Sequence, residues 1–311
     1  LKLSALSLGL WQSLGEPGHE ATCRETVFEA FDRGVTHFDL ANNYGPPAGN
    51  AERVFGDVLK EMPRDELIVS TKAGYYMWPG PYGEWGSKKY LVASLDQSLK
   101  RLQLDYVDIF YHHRPDPNTP LEETMGALDL IVKQGKALYV GVSNYNGAQF
   151  RDAVEAIRAH DWTPITIHQP YYNMLGRGVE TDLLPHTAAS GTGVIPFCPL
   201  AQGVLTDRYL DGLPADSRQG RRGDRGRQWY EEQERAGVWT KVRKLRDVAR
   251  ERGQTTAQLA ITWLLRDDRI TSVLIGASRK EQIAENVRAV ESPPLSDEEL
   301  RRIDDILYGR A

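Results

Sequence analysis

Phe38-Asp39-Leu40-Ala41-Asn42-Asn43-Tyr44-Gly45 reads as the end of a buried strand that delivers an acid, followed by a polar turn that presents a tyrosine. What surrounds it decides the fold. Upstream, residues 5–11 form a strand candidate. Residues 20–33 form an amphipathic helix with Val27, Ala30 and Phe31 on one face and Gly34 at its end. The strand itself covers 36–40, and the next helix covers 51–60, with Pro63 beyond it. The same alternation then runs to the end of the chain. Strands are expected at 67–71, 106–111, 137–142, 165–168, 194–197 and 272–275. Helices are expected at 88–101, 121–133, 148–159, 180–189, 238–252, 256–266 and 279–289. A closing helix over 297–307 has Ser296 as its N-cap and Glu299 three residues on, which completes a capping box.

Strands that alternate strictly with helices imply a parallel sheet, because parallel neighbours need a crossover. Eight such units in 311 residues predict an α/β fold of the closed (β/α)8 TIM-barrel type. It carries an extra C-terminal helix and a long loop after strand 7, with residues 1–311 forming a single domain. An open doubly wound sheet is the alternative. It calls for a glycine-rich G-x-G-x-x-G turn after an early strand, and none follows any strand here.

Composition narrows the function. A net charge of -5 with 41% hydrophobic residues is ordinary for a globular protein and argues against a general nucleic-acid binder. No apolar run is long enough for a transmembrane helix. The opening residues Leu1 to Leu6 lack the basic and long apolar stretches of a signal peptide. They also lack methionine, which leaves room for residues ahead of Leu1. Two cysteines, Cys23 and Cys198, give no disulfide framework, so a reducing, cytoplasmic setting is expected.

A barrel places its site where the strands end. The residues at or just after those ends are Trp11, Asp39, Lys72, His113, Ser143-Asn144, Gln169, Phe197 and Gly276-Ala277-Ser278. Most can hydrogen-bond or titrate, whereas the opposite ends are turns of Gly, Pro, Arg and Asp. Asp39, Tyr44, Lys72 and His113 suit proton transfer to a carbonyl oxygen. A tyrosine with a pKa of about 10 is too weak an acid at neutral pH. An ammonium beside it favours the phenolate, and a carboxylate holds the ammonium in place. Each residue alone has a plainer reading: Tyr44 as a packing residue, Asp39 as a turn former, Lys72 as a solvated lysine. Their coincidence on one barrel face favours function. Adjacent His112 and His113 point to opposite faces of a strand and cannot easily share a metal, and no HExxH or Cys-His spacing accompanies them, so no metal is expected.

Three further stretches stand out. Residues 218–227 carry five arginines and read either as a nucleic-acid segment or, more plainly, as a solvated and partly disordered loop. The aromatic stretch 73–85 reads equally as a substrate wall or a subunit interface, with Tyr76 and Trp78 as pocket candidates. Cys198 reads as oxidation-sensitive or, more plainly, as a buried inert thiol.

The whole chain resembles the aldo-keto reductase superfamily. The resemblance rests on Phe38 to Gly45, Ser70-Thr71-Lys72, Val107 to Pro115, Gly141-Val142-Ser143-Asn144 and Ile275-Gly276-Ala277-Ser278. Arg114 to Pro120 and Pro199 to Gly203 resemble the branch containing potassium-channel β-subunits. Trp78 to Gly83 and Leu91 to Leu99 are similar to the bacterial L-glyceraldehyde 3-phosphate reductases within it. The resemblance implies Tyr44 as proton donor, Lys72 and Asp39 as its tuners, and His113 as the group orienting the carbonyl. It implies an extended nicotinamide dinucleotide, with NADPH favoured. Ser143, Asn144 and Gln169 would hold its carboxamide and Phe197 would stack on its ring, with Trp11 and Asp39 nearby. Cys198, Pro199, Leu200, Ala201 and Gln202 would line the pyrophosphate path. Arg208, Arg218 and Arg279 would meet a 2′-phosphate. Gly276 and Ser278 would lie at a phosphate-favouring helix entrance, and Gln282, Glu285 and Asn286 would meet the adenosine. The substrate class implied is small aldehydes, such as glyceraldehyde phosphates or methylglyoxal; Arg114 and Lys88 are the candidates to answer a substrate phosphate. The assembly implied is a homo-tetramer or octamer. The alternative is a redox-sensing regulatory subunit of the channel-β type with little turnover.

Overall fold

Successive strands pair in parallel because a helix carries the chain back between each two of them. The computed structural model describes residues 1–11 and 13–310. Its strands are β1 (Leu6–Gly9), β2 (His37–Asp39), β3 (Ile68–Ala73), β4 (Val107–His112), β5 (Ala137–Ser143), β6 (Ile165–Gln169), β7 (Gly193–Val194) and β8 (Val273–Gly276). They are hydrogen-bonded in the order β7-β6-β5-β4-β3-β2-β1-β8. Ile270 bridges Val194 in parallel, and the amides of Thr271 and Leu274 donate to Val194 O and Pro196 O at 2.9 and 3.0 Å. These bonds join the two ends of the sheet, and the expected (β/α)8 barrel follows.

The helices are α1 (Glu20–Asp32), α2 (Asn50–Leu59), α3 (Lys88–Leu102), α4 (Leu121–Lys133), α5 (Gly147–His160), α6 (Val179–Asp182) and α7 (Leu184–Ser190). They continue with α8 (Asp224–Arg235), α9 (Val238–Glu251), α10 (Thr256–Leu265), α11 (Lys280–Val287) and α12 (Asp297–Tyr308). The expected capping box at Ser296 and Glu299 opens α12, and two more open α5 at Asn146 and α10 at Thr255.

By packing, the chain divides into two compact units. The first is Leu1–Tyr172 with Gly178–Phe197 and Asp268–Ala284, and it contains the barrel. Its interior is filled by Ile109, Tyr111, Ile167, Ile195 and Leu274, with Phe197 and Tyr139 packed against them. Alternate strand residues point outward to the helices: Phe38 meets Phe55 of α2 with ring centres 5.3 Å apart. The second unit is Asn173–Arg177 with Cys198–Asp267 and Glu285–Ala311. It is organised on Trp239, which is buried against Tyr209, Trp229 and Tyr230.

The structure differs from the sequence expectations in four places. The helix expected over 180–189 is broken into α6 and α7, because Pro185 at the start of α7 cannot donate a backbone hydrogen bond to the preceding turn. The seventh strand is two residues long and lies one position earlier than expected. The first strand stops at Gly9, so Trp11 lies beyond it, with nearly half its surface exposed. The arginine-rich stretch expected as a partly disordered loop folds instead into a 3-10 turn, Gly220–Arg222, and helix α8. Among the described residues no helix is long and apolar enough to cross a membrane.

Candidate active site

Parallel register sets the site. Asp39 pairs with Ser70, Lys72 with Tyr111, Tyr111 with Gly141, and Ser143 with Gln169. Ser70 and Lys72, two apart on β3, share the inward face with Asp39 of β2. Asp39 and Lys72 are both buried, and the Lys72 ammonium donates to Asp39 Oδ2 at 2.5 Å and to Leu40 O at 2.7 Å. The other carboxylate oxygen, Oδ1, accepts from Ser70 Oγ at 2.6 Å and from Gln169 Nε2 at 3.3 Å. Burial depresses the Lys72 pKa, and the Asp39 charge and hydrogen bond oppose that depression. A buried ammonium without such a partner would give up its proton.

Tyr44 is brought to this pair by its turn. Its carbonyl accepts from the amides of Gly49 and Ala51 at 3.0 and 3.3 Å, which folds the turn back onto the start of α2. Gly45 makes room for that fold, since a Cβ there would lie 1.9 Å from Pro47 O. The Lys72 ammonium lies 5.2 Å from the centre of the Tyr44 ring. His113, just past β4, meets the Tyr44 ring edge-on with centres 6.0 Å apart. Burial holds the His113 pKa well below its usual value, and the Lys72 charge adds to the effect, so the ring is neutral at neutral pH. Its Nδ1 is buried with no hydrogen-bond partner among the described residues. Asp39, Tyr44, Lys72 and His113 therefore stand together, a buried carboxylate and ammonium at the barrel mouth beside a phenol and a neutral imidazole.

His112 faces the other way. Its Nδ1 is 2.7 Å from the Tyr145 hydroxyl, and burial lowers its pKa to about 4. Among the described residues no group of three or more His, Cys, Asp or Glu is placed to hold a metal ion.

The other nominated residues of the barrel unit divide by what they touch. Ser143 Oγ donates to Gln169 O at 2.8 Å. Asn144 takes a left-handed backbone, φ 61°, and donates to His113 O at 2.9 Å. Phe197 keeps part of its ring exposed and meets Tyr171 edge-on. Trp11 tilts toward Tyr44, centres 6.3 Å apart. Ser278 donates from both its amide and its hydroxyl to the Gln282 side chain, at 2.7 and 3.2 Å, just ahead of α11. Gly276 and Arg279 are exposed, and Arg279 Nε is 3.8 Å from Glu281.

In the second unit, Cys198, Ala201 and Gln202 all take left-handed backbone, φ 55°, 46° and 59°. Three such non-glycine residues within five positions are uncommon, and the Ala201 amide closes the turn by donating to Cys198 O at 2.9 Å. Burial pushes the Cys198 thiol pKa up, which makes it a poor thiolate. Arg218 is half-buried near it, whereas Arg208 is exposed and pairs with Asp216 at 2.9 Å. On α11, Asn286 is buried and Glu285 half-buried; the Glu285 carbonyl accepts from Gln258 at 2.8 Å.

The aromatic stretch is ordered. Met77 and Trp85 amides donate to Gly83 O and Gly74 O at 2.8 and 3.1 Å. Tyr76 is exposed, and Trp78 packs on Tyr90. The tyrosine that reaches the site is Tyr75, edge-on to His113 at 4.6 Å. Arg114 lies between the Tyr75 and Trp85 rings, 4.2 and 3.8 Å from their centres, and pairs with Glu84.

Sequence reasoning missed four contributors. Ser70 and Tyr75 touch the site directly. Tyr111 carries the Lys72 ammonium 5.6 Å over its ring and fills the space that a side chain at Gly141 would occupy, 2.6 Å from a Cβ placed there. Glu52 of α2 is wholly buried and accepts from Thr71 and Arg101, both at 2.6 Å, behind Lys72.

The sequence pattern of the Aldo/keto reductase family matches residues 5–308. The chain is 54% identical over 309 residues to L-glyceraldehyde 3-phosphate reductase of Escherichia coli strain K12, covering 98% of this chain and 89% of that protein. It is 53% identical, with the same coverage, to the protein of that name in Escherichia coli O157:H7. It is 37% identical over 302 residues to a probable voltage-gated potassium channel subunit beta of Arabidopsis thaliana, covering 95% of this chain and 90% of that one. The chain belongs to the aldo/keto reductase family.

Proposed function

We propose that this chain is an NADPH-dependent reductase of small aldehydes, with triose phosphate aldehydes as the first substrates to try. The observation that carries the reading is the buried Asp39–Lys72 pair beside Tyr44, with a neutral His113 edge-on to the phenol. A channel-regulatory role alone gives no reason to keep an ammonium buried next to a tyrosine.

The residues present fit a nicotinamide dinucleotide. In the barrel unit, Asn144, Ser143 and Gln169 offer amide and hydroxyl groups at two adjoining strand ends, and Phe197 offers a partly exposed ring face for stacking. In the second unit, the half-buried Arg218 guanidinium offers a cation that suits phosphate. When bound, the cofactor supplies the hydride that adds to the carbonyl carbon. The chain handles the proton. His113 donates an N–H to the carbonyl oxygen and fixes its direction; being neutral, it does not compete with Tyr44 as the acid. Tyr44 gives its hydroxyl proton to that oxygen, and Lys72 stabilises the phenolate left behind. Asp39 keeps Lys72 charged despite its burial.

Tyr44→Phe tests the assignment. NADPH oxidation with glyceraldehyde 3-phosphate should fall about 10²–10⁴-fold, while quenching of protein fluorescence by NADPH stays at the parent level. Turnover retained in the variant removes Tyr44 as the acid. Tight cofactor binding by the parent with no turnover on any aldehyde favours a redox-sensing subunit.

A further inference from the structure

Below the site, a line of buried side chains crosses the barrel. Ser272 Oγ is 2.6 Å from Ser7 Oγ, Ser7 Oγ is 2.8 Å from His37 Nδ1, and His37 Nε2 is 2.9 Å from Ser70 Oγ. Ser70 Oγ then donates to Asp39 Oδ1 at 2.6 Å. Ser7, His37, Ser70 and Ser272 are all completely buried.

Hydrogen counting fixes the direction of every bond. A hydroxyl has one proton to give. Ser70 gives its proton to Asp39, so it must accept from His37, which places the imidazole proton on Nε2. A neutral ring then has only a lone pair at Nδ1, so Ser7 must donate there and accept in turn from Ser272. We infer that His37 is a positioning residue of the reductase site: held as its Nε2–H tautomer, it polarises a one-way chain of donors from Ser272 to Asp39 and keeps the Asp39–Lys72 pair in its charged form. The neutral ring agrees with its surroundings, since burial brings the His37 pKa down to about 4 and the Lys72 ammonium, facing it from β3, adds to this against the pull of Asp39.

The consequence runs through a shared proton. In a dry site a carboxylate and an ammonium can exchange a proton and become a neutral pair. Donors aimed at Oδ1 stabilise the carboxylate and oppose that transfer. Weakened by the loss of the His37 donor behind Ser70, they let Lys72 lose positive character, and Tyr44 becomes a weaker acid. The charged and titratable groups around this proton are Asp39, Lys72, Tyr44, Tyr111 and His113, with Glu52 behind Lys72.

The inference rests on the reductase reading only for its kinetic arm. In the full chain labelled with ¹⁵N-histidine, multiple-bond ¹H–¹⁵N spectra should show His37, identified by its loss in His37→Gln, as a neutral ring protonated on Nε2 from pH 6 to 9. A ring protonated on Nδ1, or charged, overturns the chain of donors whether or not the protein turns over any aldehyde. In the kinetic arm, the basic limb of kcat for aldehyde reduction reports the Tyr44 proton. In His37→Leu that limb should move up by about half a pH unit or more. In His37→Gln, whose amide offers both an acceptor and a donor, it should return to the parent position. Ser7→Ala breaks the chain with little change in volume and carries the same expectation should His37→Leu not fold. A limb that stays in place in a folded His37→Leu or Ser7→Ala overturns the role.

Discussion

Two cation–carboxylate pairs stand near His113, and they are held by different physics. Lys72–Asp39 is wholly buried, each partner on its own strand, and its charges are surrounded by donors and carbonyls of the barrel. Arg114–Glu84 joins the loop after β4 to the aromatic stretch, with a fifth to a third of each side chain exposed, and its guanidinium is sandwiched between two rings. Removing half of the first leaves a charge with no water to receive it, which costs about 3–5 kcal/mol. Removing half of the second leaves a charge that water can reach, and the rings still pack. The first pair sets acidity; the second sets the shape of a wall.

Asp39→Asn should break the comparison at its strong end. Loss of the carboxylate lets Lys72 give up its proton, so kcat should fall about 10²-fold or more and urea unfolding should show a loss of about 3 kcal/mol. A change under about 1 kcal/mol would mean that the buried pair is no more coupled than a surface one. Second in size is acid sensitivity. The His37 and His112 pKa values are held at about 4, His168 at about 3, and His113 well below the usual value, all led by burial. Unfolding frees these rings to take protons, so the unfolded state binds more protons than the native state once pH falls below about 6.5. Stability from these groups is therefore complete above that pH and declines as pH falls toward 4. Thermal melts between pH 7 and 4.5 should show it, and a flat Tm over that window would contradict neutral buried rings. Smallest is Arg114→Gln. Stability should drop by about 1 kcal/mol, and the KM ratio of glyceraldehyde 3-phosphate to glyceraldehyde should stay within about threefold, because this guanidinium is already occupied by Glu84 and two rings. A selective rise for the phosphorylated substrate would instead make Arg114 the phosphate contact.

The site was legible where polarity contradicted its surroundings. Asp39, Lys72 and His113 each end an apolar run, and barrel geometry gathers strand ends, so their meeting could be read from order alone. Ser70 and His37 could not, because a serine or histidine inside a strand looks the same facing the barrel axis as facing a helix; only register decides. Glu52 was hidden for the same reason on a helix, where a glutamate reads as solvated until Thr71 and Arg101 are seen across from it. The contact of Tyr75 with His113 was not legible either, because adjacent residues of an irregular loop have no period to sort them. Helix α8 was missed because its residues are almost all charged or polar. Trp229 and Tyr230, its large aromatic side chains, meet Trp239, and that contact is tertiary.

Gly141 and Tyr111 carry a consequence for descent. The ring beneath the Lys72 ammonium occupies the volume that any side chain on the neighbouring strand would claim. Neither position can drift alone: enlarging the first evicts the ring, and shrinking the second opens a hole under the charge. Lineages of this barrel are expected to change the two together or not at all, and a library that varies them jointly would reach substitutions closed to either one singly.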